Sequence, residues 1–234
     1  MSVAVGFFDG NARPDLAVAN NDDATLGVLL GAGDGTFATQ RTFATGRSPS
    51  SAVVTDFNGD TNADVVTADY GTNAVSVLIG NGNGTLQPQQ LYPANGAPWA
   101  VAIGDLNGDT RVDVVMSNTG TGTLAILLGL GNGSFVLQQQ LAVGVDPLDV
   151  AVADVNADGR PDLLVTNTGS NTLGVLLGTG TGSFLPQRTF ATGAAPRSVA
   201  VADFDGDRRP DVVTADFSGG TLSLFLGNQT GGFT

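Results

Sequence analysis

Apolar residues in this chain fall into short runs separated by clusters of Gly, Asn, Asp and Pro, and the runs recur with a single period. The segment that begins at Phe7 reappears in form at 56, 105, 154 and 203, so every step is 49 residues with no insertion or deletion. One unit reads as four strands. In the last copy the first three are Ser198–Ala202, Pro210–Ala215 and Thr221–Leu226, and Leu185–Thr192 supplies a more polar fourth. The third run is almost continuously apolar in every copy (Leu26–Leu30, Val75–Ile79, Leu124–Leu128, Leu173–Leu177), the pattern of a strand buried on both faces. Four-stranded sheets at this spacing predict an all-β fold, a five-bladed β-propeller. The strict register argues for one domain over 1–234, with repeats 1–49, 50–98, 99–147, 148–196 and 197–234. Fourth strands are expected near 39–45, 88–93, 137–143 and 186–192, with none in the fifth copy. The last blade is therefore expected to lack its outermost strand. Thr221–Leu226 would then be a bare apolar edge, open to strand addition or homo-oligomer formation.

Between the first and second strands lies a nine-residue loop with oxygen-bearing side chains at positions 1, 3, 5 and 9. The second repeat has Asp56, Asn58, Asp60 and Asp64, the third Asp105, Asn107, Asp109 and Asp113, and the fourth Asp154, Asn156, Asp158 and Asp162. The fifth has Asp203, Asp205, Asp207 and Asp211. Alternate spacing converges side chains when a chain curls tightly, and Gly at position 4 or 6 permits the curl. Calcium takes six to eight hard oxygens from carboxylates, amide and main-chain carbonyls and water. The main-chain oxygen would come from position 7, at Asn62, Arg111, Arg160 or Arg209. The first copy has Phe7 in place of the leading Asp, leaving Asp9, Asn11, Asp15 and the Arg13 carbonyl as a weak or empty fifth site. Asp, Asn and Gly also favour turns without any metal. Crowding so many acids into nine residues, four times over, weighs towards calcium at about four sites; magnesium tolerates such a cage poorly.

Composition narrows the rest. Of 234 residues 41 % are hydrophobic and 13 % charged, all acids are Asp, all bases are Arg, and Glu, Lys, His and Cys are absent. Disulfides, thiolate or imidazole metal sites and His, Cys or Lys catalysis are excluded, so an enzyme is not expected. The net charge of −13 argues against nucleic acid and anionic membranes as partners. No apolar run reaches membrane-spanning length, and nothing at Met1 reads as an export leader. Glycine-rich stretches such as 31–35 and 80–84 precede strands, which makes them hairpin turns, not phosphate cradles. The acids outside the loops fall mostly in turns, where solvated roles are the default; Asp69 and Asp216 stand where other repeats have Asn20, Asn118 and Asn167.

The loops, together with Asp34–Phe37 (DGTF), Asn132–Phe135 (NGSF) and the stretch Gly96-Ala97-Pro98 with its counterparts GRSP, GVDP and GAAP, resemble the FG-GAP/VCBS repeat family. That family includes the calcium-binding propellers of integrin α-subunit heads. The resemblance implies a calcium-stabilised binding, adhesion or structural module, and an extracellular, cell-surface or periplasmic setting. Repeats differ most where Tyr70 and Phe217 replace Asn or Thr, and where Trp99 and Arg197 replace Ser50 and Leu148. These four residues are a candidate face for a protein or glycan ligand. A lectin that stacks sugars on the aromatics is one alternative. Another is an engineered or amplified repeat array with self-assembly as its only activity.

Overall fold

A computed structural model describes residues 2–228 and 230–233. The first sheet comprises β1 (Val3–Gly6), β2 (Asp15–Asn20), β3 (Thr25–Leu29) and β4 (Arg41–Ala44). The second comprises β5 (Pro49–Thr55), β6 (Asp64–Asp69), β7 (Ala74–Leu78) and β8 (Gln90–Pro93). The third is built from β9 (Pro98–Gly104), β10 (Asp113–Asn118), β11 (Thr123–Gly129) and β12 (Phe135–Ala142). The fourth has β13 (Pro147–Ala153), β14 (Asp162–Asn167), β15 (Thr172–Leu176) and β16 (Arg188–Ala191). The fifth has β17 (Pro196–Ala202), β18 (Asp211–Asp216) and β19 (Thr221–Phe225). Each is an antiparallel meander in chain order, four strands in the first four sheets and three in the fifth. These are the propeller blades that the 49-residue period predicts.

Boundaries differ from the sequence expectation for identifiable reasons. First strands begin two residues earlier in the fifth sheet, at Pro196, because that proline pairs with Asp216 across a bulge. Fourth strands are shorter than expected in three sheets. Gly31, Gly80 and Gly178 form only single bridges, to Phe37, Leu86 and Phe184, and so close the glycine-rich hairpins before the strand begins. In the third sheet β12 runs longer than expected, over eight residues.

Chain contacts divide the molecule into one unit of residues 1–101 and 129–136 and another of 102–128 and 137–234. In the first, Ala17, Ala19, Leu26 and Val28 of the first sheet meet Ala52, Val65 and Leu78 of the second. In the second, Leu164, Leu173 and Val175 of the fourth sheet meet Val199 and Val212 of the fifth. β7, a third strand, is wholly buried as its nearly continuous apolar run requires; β6 and β14 are wholly buried as well, although each carries polar residues at both ends. β19 breaks that expectation: it is as apolar as its counterparts, yet mostly exposed. Among the described residues no further sheet covers its outer face.

Candidate metal-binding loops

Every first-to-second-strand loop is bent by two left-handed residues, at positions 4 and 6. They are Gly59 (φ 79°) and Thr61 (φ 69°) in the second repeat, and Ala157 (φ 57°) and Gly159 (φ 80°) in the fourth. The sequence suggests one glycine hinge per loop; the structure has two hinges, one of them on a residue that carries a β-carbon. That costs backbone energy of about 1–2 kcal/mol per residue.

The hinges turn successive N–H groups inward, onto the position-1 carboxylate. Asp56 Oδ1 accepts from Asn58, Gly59 and Asp60 N–H (3.1, 2.7 and 3.2 Å), and its Oδ2 accepts from Thr61 N–H at 2.7 Å. Asp105 and Asp203 take the same kind of donors, Gly108 and Thr110 in one loop, Gly206 and Arg208 in the other. Asp154 accepts from Asp158 and Gly159. Position 3 then braces position 5. The Asn58, Asn107 and Asn156 amides donate to Asp60, Asp109 and Asp158 at 2.8–3.1 Å. Position 5 in turn accepts the N–H of position 7, at Asn62, Arg111, Arg160 and Arg209.

Position 7 does more than offer a carbonyl. The Arg111 guanidinium folds back onto Asp109, and Arg209 pairs with Asp207 at 3.3 Å. In those two loops a side chain would compete with a bound cation for position 5. The Asn62 N–H, helped by the Asn58 amide and opposed by some desolvation, holds the Asp60 carboxyl below the usual carboxylate range.

Position 9 carries a role that its spacing does not reveal. Asp15, Asp64, Asp113, Asp162 and Asp211 are fully buried at the first residue of their strands. Each accepts the N–H of position 2 (Phe8, Phe57, Leu106, Val155 or Phe204) at 2.7–2.9 Å. The other oxygen takes the N–H of a glycine just past the third strand: Gly31, Gly80, Gly178 or Gly227, at 2.7–2.8 Å. That residue must be glycine; a β-carbon at Gly80 would lie 2.2 Å from the Ala63 carbonyl oxygen. One carboxylate thus pins the loop and the next hairpin to its strand. Burial pushes the Asp64 carboxyl up to about 6, against the pull of its Gly80 and Phe57 donors, and the charges of Asp60 and Asp56 push the same way. Asp211 takes equivalent donors but lies in the last described sheet, with less protein around it. There Gly227 and Phe204 N–H hold the carboxyl below its usual range.

The donor set suits a hard cation. Asp203, Asp205 and Asp211 each place a carboxylate oxygen within 4.8 Å of the others, the crowding that a calcium ion bridges. Asp207 is outside that group, held by Arg209. In the second to fourth loops Asn occupies position 3, so each offers three acids and an amide; among the described residues it is the fifth loop that brings three carboxylate oxygens within 4.8 Å of one another. The first loop has Phe7 exposed at position 1; Asp9 instead accepts the Asn11 N–H and amide, and Asn11 accepts the Arg13 N–H. Acid crowding is therefore relieved in part by backbone N–H groups, a source of compensation absent from the sequence expectation.

The candidate ligand face resolves into two pairs. Tyr70 and Trp99 stack edge to face, centroids 5.7 Å apart, and both are exposed. Arg197 lies over the Phe217 ring, 3.6 Å from its centroid.

Three acids outside the loops, Asp69, Asp149 and Asp216, are not the solvated turn residues expected; Asp216 is buried and accepts the Thr214 and Ser223 hydroxyls at 2.9 and 2.6 Å and the Gly193 N–H at 3.1 Å. Asp69 is fully buried; it accepts the Gly46 N–H at 3.1 Å, the Thr67 hydroxyl at 2.8 Å and the Ser76 hydroxyl. Asp149 lies on β13 and accepts the Ser198 hydroxyl and Val199 N–H, both at 3.0 Å, tying the fourth sheet to the fifth. Burial raises the Asp69 pKa despite the Ser76, Thr67 and Gly46 donors. A raised carboxyl penalises the ionised native state, so stability falls as pH climbs from 3.8 through the native value. Asn167, the counterpart in the fourth sheet, accepts the Gly144 N–H and donates to Thr172. Asp69→Asn is therefore expected to fold normally and to raise the urea midpoint at pH 7, with no gain near pH 3. A gain independent of pH would remove burial of the charge as its cause.

A family model described as FG-GAP-like repeat matches residues 8–67, 56–116, 105–165 and 154–214. No curated protein sequence matches the chain. Among solved structures it is similar to BBS1N, from a crystal structure in complex with ARL6DN soaked with lead: 14% identity, TM-score 0.69, 99% of this chain and 66% of that one. It is also similar to a functionally unknown protein from Desulfotomaculum acetoxidans, at 17% identity and TM-score 0.61, covering 93% and 67%. A third similarity is to the V. cholerae biofilm matrix protein Bap1, at 16% identity and TM-score 0.58, covering 99% and 38%. Such identities carry the fold alone. The chain spans just under two thirds of BBS1N and little more than a third of Bap1.

Proposed function

Because this chain belongs to the FG-GAP-like repeat family, we propose that it is a noncatalytic binding module whose aspartate loops hold calcium. The observation that carries the calcium assignment is the convergence of Asp203, Asp205 and Asp211 carboxylates. The upward push of Asp60 and Asp56 on buried Asp64 supports it in the second loop, since a cation there would relieve the same repulsion. Asp56, Asn58, Asp60, Asp64 and the Asn62 carbonyl would hold the ion in that loop, and their counterparts would do so in the third to fifth. Calcium here rigidifies the loops and has no part in a reaction. Its abundance outside cells fits an extracellular or periplasmic setting; among the described residues no helix is long and apolar enough to cross a membrane.

A protein partner is the favoured ligand, and the exposed Tyr70–Trp99 pair the favoured contact, because exposed aromatics at a rigid position anchor interfaces. The same pair supports a second reading, a glycan stacked on Trp99.

Calorimetric titration with calcium tests the metal assignment. The wild-type chain is expected to bind about four ions. Asp205→Ala is expected to remove one of them, while Asp9→Ala in the first loop leaves the count unchanged. Equal stoichiometry in all three proteins, or no heat at all, would refute the loop assignment.

A further inference from the structure

Two repeats share a difference at four positions. The second has Thr67, Asp69, Tyr70 and Ser76, and the fifth has Thr214, Asp216, Phe217 and Ser223 at the same places. In the other three the acid is Asn, the aromatic is Asn or Thr, the serine is Gly or Ala, and the threonine is apolar. An aromatic at this turn thus comes with an acid before it and two hydroxyls around that acid. The bonds match in the two repeats. Thr67 and Thr214 donate to the carboxylate Oδ1 at 2.8 and 2.9 Å, and Ser76 and Ser223 donate to Oδ2. Gly46 and Gly193 N–H donate to the same Oδ2 at 3.1 Å.

Asp69 ends β6, yet its side chain does not cap the turn that begins at Tyr70. It reaches across to Gly46, which opens a segment bonded to both members of the Tyr70–Trp99 pair. The Ser48 and Arg47 carbonyls accept the N–H groups of Tyr70 and Gly71 at 3.2 and 2.9 Å. The Ser50 hydroxyl donates to the Trp99 carbonyl at 2.6 Å. A β-carbon on Gly46 would lie 2.6 Å from Asp69 Oδ2, so only glycine allows this approach. All of these residues belong to the unit that contains 1–101.

Ser76 has a second acceptor. Its Oγ bonds Asp69 Oδ2 and also lies 2.6 Å from Gln89 Oε1, but a hydroxyl has one proton to give. With Asp69 ionised, Ser76 donates to the carboxylate, and Oδ2 holds Gly46 as a charged acceptor. With Asp69 protonated, the acid donates to Ser76 and Ser76 turns its proton to Gln89. Oδ2 is then a neutral hydroxyl oxygen and a weaker acceptor for the Gly46 N–H.

We infer that Asp69 is the positioning residue of the Tyr70–Trp99 pair, holding the two rings together while it is ionised and loosening them when it takes up a proton. The inference rests on the proposed ligand contact only for what the pair is used for. The groups that bond Asp69 are uncharged on every element they come from: Thr67 on β6, Ser76 on β7 and Gly46 in the turn before β5, with Gln89 behind Ser76. Arg47, next to Gly46, is exposed and is the nearest base along the chain. Burial outweighs the Ser76, Thr67 and Gly46 donors and raises the carboxyl, so the change falls above the ordinary 3.8. Asn167 holds Gly144 N–H at 3.0 Å in the fourth repeat with no group to titrate.

Trp99 is the only tryptophan, so its emission and near-ultraviolet circular dichroism read the pair without any ligand. The full chain is titrated between about pH 3 and pH 8. In the wild type, acidification is expected to shift the emission to longer wavelength, with a midpoint above 3.8, as the Trp99 ring loses its partner. Asp69→Asn keeps an acceptor for Gly46 and is expected to hold the neutral-pH emission of wild type across the range. Ser76→Ala removes a donor to the ionised form and is expected to move the midpoint to higher pH. It also serves as the test if Asp69→Asn loses its native melting transition. A wild-type emission that does not titrate, an Asp69→Asn emission that titrates as wild type does, or an unmoved midpoint in Ser76→Ala would each overturn the inference. Failure of the ligand contact itself would show differently, as a partner that binds Trp99→Ala as well as wild type.

Discussion

Replacing Asp162 by alanine is expected to remove about 3–5 kcal/mol of stability with no metal present. The side chain is fully buried, and its two oxygens accept from Val155 N–H at 2.9 Å and Gly178 N–H at 2.8 Å. Alanine fills neither bond and leaves two interior N–H groups without an acceptor, at about 1–3 kcal/mol apiece. Asparagine keeps one acceptor but turns an amino group towards the other N–H, so Asp162→Asn is expected to fall between alanine and wild type. Asp158→Ala is the contrast. Position 5 is exposed and braces only its own loop, so its loss is expected to cost under about 1 kcal/mol. Urea unfolding in chelator measures all three. If Asp158→Ala costs as much as Asp162→Ala, position 9 is not the pin between loop, strand and hairpin.

The periodic features of this molecule were legible in the sequence, and the features that need a returning chain were not. Strand order followed from the spacing of apolar runs, because a 49-residue step repeated without a gap leaves few ways to pair them. The loops were legible as oxygen clusters for the same reason. Asp64 and Asp162 looked like equal members of those clusters. Their second partner is a glycine sixteen residues on, and no local pattern shows that the third strand delivers its N–H to that oxygen. Asp69 looked like a turn acid; only the packing of Gly46 and Ser76 around it shows a buried charge. β19 illustrates the converse limit. Its composition says buried, but burial depends on what lies against a strand, and Leu222 and Leu224 face solvent. Tyr70 and Trp99, singled out because repeats diverge there, proved to be in contact. Their own repeats give no hint of it.

Calcium is expected to have the largest effect of all. A site that binds only the native state adds about 2.7 kcal/mol when the ion stands 100-fold above its dissociation constant, so four independent loops would add on the order of 10 kcal/mol. No single substitution approaches that. The reason lies in the loops themselves: N–H donors satisfy the position-1 carboxylates, yet Asp64 still feels the charges of Asp56 and Asp60. Only a cation among them removes that repulsion without breaking the N–H bonds.

Thermal unfolding of the wild-type chain, once in excess calcium and once in chelator, is the most direct measurement. With calcium in the loops, the transition in calcium lies higher by about 20 °C or more, and magnesium reproduces little of the rise. Superimposable transitions in the two buffers would contradict calcium as the ion that these carboxylates are arranged to hold.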